Sequence, residues 1–415
     1  MKITEKLHAA SAAALIALCI APAVAQNTTS PYSRFGYGLL RDNATSAQTQ
    51  MGGVGYAMRS GRQINVMNPA SYARIDSLTF LFDMGVTTSF INSNDNGTTL
   101  NQKGGGLDYV TMQFPVGSRF GASVGLLPYS SVGYAFGSEI KNGSSSREGV
   151  GGFNQLYLGF AGKIYGGLTA GFNLSYLFGS NTHDVFAYTD AGSTAVFEQV
   201  LRVRDWHLQL GLQYGLNVGR DRTVGIGLTY SPGKDLRGDG SVVKYNLSVN
   251  ETPDTVQTLK LNKNFSLPDT WGVGVNYQWG NRLMVEADVT YQPWSKAKFA
   301  KMSDFPATRF ADRYKIAVGA QYRPRDRGNY LQSIQYRAGA FFNRDYMMVG
   351  DNNVREYGVA CGFGLPTLST KTIISLGFEY RHRQAHPTPL LKENYFSITL
   401  GVNFNEVWFM KRKIE

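Results

Sequence analysis

From Leu78 to Asn405 the chain is written almost entirely in period two. Over stretches of about ten residues a bulky apolar side chain alternates with a small or polar one, and Gly, Asn or Asp then breaks the pattern. Leu168, Ala170, Phe172, Leu174, Tyr176 and Phe178 share one face, with Thr169, Gly171, Asn173 and Ser175 on the other. Trp206, Leu208, Leu210, Leu212, Tyr214 and Leu216 repeat the scheme, as do Phe396, Ile398, Leu400, Val402 and Phe404. Such a chain is confined to β-sheet, and each stretch has the length of a strand that crosses a bilayer. A soluble sandwich also alternates, so the period alone leaves two solutions. No apolar run after Ile20 reaches the roughly twenty residues of a membrane helix.

Parity and spacing separate the two solutions. Alternation predicts strands near 78–91, 107–116, 119–129, 152–164, 167–179, 201–218, 222–231, 268–279, 282–293, 311–323, 330–344, 353–365, 371–384 and 393–405. That is fourteen, an even number, as single-chain bacterial barrels have. Gly117-Ser118, Tyr165-Gly166, 219–221 and Gly280-Asn281 read as tight turns, whereas 130–151, 180–200 and 232–267 read as long polar loops. Short periplasmic turns and long outer loops produce this rhythm. Thr255 to Leu261 alternates within the longest loop and reads as an extension of the wall. By the same parity, the segment before the barrel is expected to start in the periplasm and the chain to end there.

The amino-terminal residues fit export. Lys2 and Lys6 precede an apolar stretch from Ala9 to Ile20, and Ala23-Val24-Ala25 supplies a small-x-small cleavage site. The expected organisation is a signal peptide over 1–25, a plug (hatch) over 26–77, a transmembrane barrel over 78–405 and a periplasmic tail over 406–415. Cys19 falls in the signal, so Cys361 is the one cysteine of the mature chain, and it lies on an apolar face with Val359 and Phe363. The sequence holds 47 Gly, 24 Tyr and 24 Phe, a composition suited to Gly-rich strands with aromatic ends. Its formal charge of +11 could suggest nucleic acid, but export and the absence of any long basic run point instead to a charged lumen and to rims that meet lipid and lipopolysaccharide.

Ahead of the first strand stand Gly52, Gly53 and Gly55, then Asn68, Pro69 and Ala70. Gly125-Leu126-Leu127-Pro128-Tyr129, Leu267-Pro268-Asp269-Thr270-Trp271, Trp294-Ser295 and the run Asp312 to Gly319 follow in order. Together these resemble the FadL-type family, outer-membrane transporters of long-chain fatty acids and other hydrophobic compounds. The resemblance implies an all-β fold: a fourteen-stranded antiparallel transmembrane β-barrel in the bacterial outer membrane, with an Asn-Pro-Ala plug in its lumen and a kinked third strand. It implies passive uptake of fatty-acid-like small molecules, with a lateral exit near Pro128 and Tyr129. PorV-type barrels share the Asn-Pro-Ala plug, so docking of a secreted protein partner is the competing function. The family's cationic contacts to a fatty-acid carboxylate do not map onto motif positions here.

Chemistry beyond transport finds little support in the residues. The glycines at 52, 53 and 55 do not follow a nucleotide-binding spacing, and no strand–helix unit surrounds them. Pro128 lacks an N–H and belongs at a bulge or a strand end. Glu286, Asp288, Arg313, Lys315, Arg337, Glu356, Glu379 and Arg381 fall on inward positions. They could do acid–base work, but a salt-bridged lumen wall that seats the plug is the simpler expectation. His183, His207, His382 and His386 are scattered, and neither a metal site nor an enzyme nor any cofactor is expected.

Overall fold

The computed structural model describes residues 30–407 apart from 96, 141–142, 191–193, 247–253, 303–307, 326–328 and 368–370; the expected signal peptide and positions 408–415 of the tail lie outside the described residues. Fourteen antiparallel strands close into a barrel. They are β1 (Thr79–Asp95), β2 (Thr98–Val116), β3 (Phe120–Ile140), β4 (Gly143–Tyr165), β5 (Leu168–Thr189), β6 (Thr194–Gly219) and β7 (Arg222–Ser231). β8 (Thr270–Trp279), β9 (Leu283–Gln292), β10 (Arg313–Tyr322), β11 (Gln335–Val349), β12 (Asn352–Pro366), β13 (Ile373–His386) and β14 (Leu391–Val407) complete the ring. Closure comes from β14 against β1, in register from Leu391 opposite Asp95 to Val407 opposite Thr79.

The lipid face carries the bulk that the alternation assigned to it. Trp206, Leu210, Leu228, Val273, Ile316 and Val359 all point outward and are about half exposed. Tyr230, Trp271, Tyr291 and Tyr314 are cross-strand neighbours in one belt near the outer rim. Trp279, Tyr322 and Tyr336 stand at the opposite end. Along β8 the two belts lie roughly 26 Å apart at about 3.3 Å per residue, or about 20 Å of height at the tilt of a barrel strand, close to the apolar band of an outer-membrane barrel.

Two expectations about the outer side are corrected. The spans 130–151 and 180–200, read as loops, are instead the joined upper parts of β3–β4 and β5–β6. Above the bilayer no lipid selects an apolar outer face, so no bulky-out, polar-in period marks the strand. In the loop 232–267, Asp254–Lys260 extends the wall as its alternation implied, and Gly238–Asn246 pairs with it and with Ala195 to Val203 of β6. Beneath it a compact apolar core of Tyr37, Phe265, Trp294, Met302 and Tyr346 caps the outer end.

A third correction concerns residues 30–77. Ser30 begins high on the outer side, with its N–H on the Gly133 carbonyl (2.7 Å) and its hydroxyl on Glu393 (2.7 Å). The segment therefore runs down from the outer end to Gly61 and Asp76, which meet at the periplasmic end (3.2 Å), rather than starting in the periplasm. Strand parity fixes where residue 78 enters the wall but not the path before it. The segment touches inward positions on nearly every strand, and wall glycines let its backbone come close. A Cβ at Gly227 would stand 1.8 Å from the Tyr56 carbonyl oxygen, and one at Gly121 would stand 2.0 Å from that of Tyr72.

The topology predicts that, in a Cys361→Ser background, a membrane-impermeant maleimide labels Ser144→Cys on intact cells but not Asp221→Cys. Labelling of Asp221→Cys alone would invert the barrel.

Candidate functional site

Three polar clusters tie residues 30–77 to the wall. In the first, Glu286 and Asp288 of β9 accept backbone N–H groups: Gly55 and Tyr56 donate to Asp288 Oδ2 (2.7 and 3.0 Å), and Ala57 donates to Glu286 Oε1 (2.8 Å). These carboxylates form no ion pair with Arg313 and Lys315, which share their inward face. Peptide donors from the segment reach them first, and the two cations turn to Asp42 at 3.1 and 2.5 Å. Burial raises the pKa of Asp42, but Lys315 and Arg313 outweigh it and hold the carboxyl well below the usual range.

In the second, Glu356, Glu379, Arg381, Arg383 and Glu393 form one network. Arg383 reaches Glu356 (2.5 Å) and Glu393 (3.5 Å), and Arg381 reaches Glu379 (2.5 Å) and Glu356 (3.6 Å). Arg337 stands apart from the carboxylates and donates to Gln50 and Ser375 (2.9 and 3.0 Å).

The third is the Asn-Pro-Ala turn. Asn68 accepts from the Ala70 N–H (3.1 Å), which caps the short helix Pro69–Arg74, and donates to the carbonyls of Tyr56 (2.7 Å) and Leu212 (3.1 Å). One side chain thus joins two turns of the segment to the wall. Gly52 sits at φ +74° against Ala340, a conformation that disfavours any side chain. Gly55 packs on Gln48 and Met67.

Above these clusters the wall opens. β2 and β3 pair only from Val116–Phe120 to Val110–Leu126, although both strands run on. Two residues later Pro128 precedes a bulge at Tyr129 against β4. Leu39 and Leu40 take up the freed edge by pairing with Ser131 and Ser130, and the Arg41 N–H bonds the Tyr129 carbonyl (2.9 Å). Asp108 is the extra residue of a bulge in β2 opposite Gly85 and Val86, and its carboxylate meets Arg41 at 3.2 Å. A bulge re-aims a side chain, which is what this contact requires. The cavity behind the gap, of about 150 Å³, is bounded by Asp42, Asp108, Pro128, Lys315, Glu356 and Arg381 among others. Among the described residues no cluster of His, Cys, Asp or Glu could hold a metal.

The family model of BamG matches residues 9–415. The chain belongs to the BamG family. Among curated proteins none matches it. Solved structures share the fold of this BamG-family chain at low identity. A Pseudomonas aeruginosa FadL homologue superposes with a TM-score of 0.62 at 12% identity, over 88% of this chain and 99% of that one. The toluene transporter TodX of Pseudomonas putida gives 0.62 at 15%, over 89% and 100%. The Ralstonia pickettii toluene transporter TbuX gives 0.53 at 14%, over 88% and 98%. The fold is therefore of the FadL type, as the motifs implied, and with its apolar outer band the BamG-family chain is a bacterial outer-membrane barrel.

Sequence reasoning missed several partners. Arg383 follows Glu379 and Arg381 at the same parity, so continuing the inward row would have found it. Asp42 and Arg41 lie where no period exists, and Asp108 falls off the alternation because of its bulge. Nothing local in the sequence marks these three.

Replacing Asp42 with Ala leaves Arg313 and Lys315, both mostly buried, without their carboxylate. The barrel should lose about 3 kcal/mol against urea in detergent, the scale for breaking a buried pair. The triple D42A/R313Q/K315Q should recover most of that loss.

Proposed function

We propose that this BamG-family chain lets hydrophobic, fatty-acid-like small molecules cross the outer membrane passively, with residues 30–77 as plug and a lateral exit between β2 and β3. The observation that carries the reading is the shortened β2–β3 ladder. An unpaired backbone group costs several kcal/mol in lipid, so a wall that stops pairing needs a compensating device. Here the device is residues 38–41 of the chain itself, hydrogen-bonded to β3 and tied to β2 through Arg41 and Asp108. Withdrawal of that short strand would open a slot at Pro128 while the rest of the barrel stays closed. The toluene transporters and the FadL homologue that share the fold support the same reading.

A second reading, docking of a secreted protein partner by a PorV-like barrel, is favoured by the cavity behind the gap. Its lining is rich in ion pairs, and an apolar molecule gains nothing from it.

A disulfide between Leu39→Cys and Ser131→Cys, which face each other in register, separates the two readings. In a Cys361→Ser background, oxidation should slow uptake of a fluorescent fatty acid and reduction should restore it. Asp108→Asn should speed uptake by loosening the tie. Equal uptake in the oxidised and reduced forms would remove the lateral exit and leave docking as the better account.

A further inference from the structure

Among the described residues that line the periplasmic end, cations outnumber carboxylates. Two adjoining cavities of about 360 and 620 Å³ open there and share Arg59, Gly61 and Gln278. Their lining brings in five cations, Arg59, Arg62, Arg74, Arg323 and Lys371, and Asp76 is the one carboxylate among the described lining residues. Asp76 is already engaged by Arg62 at 3.3 Å.

We propose that this mouth is a docking cup for an acidic polypeptide segment of a periplasmic protein. Three observations shape the partner. First, Arg59 lies along Gly215 and donates to the Gly167 carbonyl (2.7 Å), yet its Nε, like that of Arg74, is enclosed with no acceptor among the described residues. Both guanidinium groups border the same cavity. A ligand that brings oxygen acceptors would satisfy them, and an unmet enclosed donor carries a cost until one does. Second, the cations come from separate parts of the mouth, Arg59 to Arg74 on the amino-terminal segment and Arg323 and Lys371 beyond β10 and β12. One small anion does not touch them all, whereas an extended chain with several carboxylates does. Third, the remaining lining includes Gln63, Gln278, Gln335 and Asn217, each with one amide atom engaged within the protein and the other able to meet a peptide backbone.

The cup opens inside the ring of strands, away from the headgroups that surround the wall, so a polypeptide fits better than leaflet lipid. Around it the turn-side residues Arg119, Lys163, Arg220, Arg222 and Arg282, set against Asp221 and Glu406, keep the field positive. A field of this sign raises the encounter rate of an acidic partner and fades with salt. The inference stands apart from the lateral-exit reading, since it involves the other end of the barrel.

The test uses the full mature chain in detergent and a fluorescein-labelled decaglutamate peptide, followed by fluorescence anisotropy at low and high salt. Saturable, salt-sensitive binding is expected, with none for decalysine. R62Q/R74Q/K371Q should weaken binding about tenfold, equivalent to 1.4 kcal/mol, while R119Q/K163Q/R220Q on the rim should change it less than about twofold. The single variant K371E, at an exposed position, should weaken binding even if the triple does not fold. Equal losses from cup and rim triples would overturn the proposal, as would no binding at all. Displacement of the peptide by short-chain phosphatidylglycerol as readily as by unlabelled decaglutamate would assign the charge to lipid instead and overturn it too.

Discussion

Every backbone N–H and C=O that a bilayer surrounds must find its partner within the protein. The whole architecture answers to that constraint. Fourteen strands satisfy one another around a closed ring, and β14 returns to β1 over its full length. The β2–β3 junction is where two consecutive strands part while both continue, and there the chain supplies its own short strand to the exposed edge. The amino-terminal segment is thus tied to the wall by hydrogen-bond geometry as well as by packing.

The same accounting governs charge. A cation or carboxylate enclosed in a barrel lumen is costly without a counterpart. Glu286 and Asp288 are met by peptide donors, Arg313 and Lys315 share Asp42, and Glu356, Glu379 and Glu393 share Arg381 and Arg383. These contacts specify where the segment sits, because a shift by one residue would leave several charges unpaired at once. Glycines on the wall make the fit possible by letting backbone meet backbone. The high glycine content that looked like a barrel signature is therefore also a record of this interior contact.

At the two ends the chain departs from balance in different ways. The outer end is closed by an apolar core built from loops and from residues 32–39, with Trp294 fully buried against Tyr37 and Tyr346. The periplasmic end is open and basic. A molecule with one sealed, apolar end and one wet, charged end has a built-in direction.

How much of this was legible follows from the range of the interactions. Strand number, closure, the lipid face and the inward placement of Glu286 to Arg381 were readable, because period two is a local property that the bilayer enforces on each strand separately. The Asn68 turn was readable as a motif, since its Ala70 cap spans two residues. The descent of residues 30–77 from the outer end, the choice of Asp42 over Glu286 and Asp288 as partner for Arg313 and Lys315, and the Arg41–Asp108 tie were not readable. Each joins residues far apart in sequence, 271 positions between Asp42 and Arg313, at places where no period exists or a bulge has broken it. The sequence by itself determined that the chain is a barrel and which side chains face inward. Only the tertiary structure decided which inward groups meet, because closure of the ring, not any local preference, brings them within hydrogen-bonding distance.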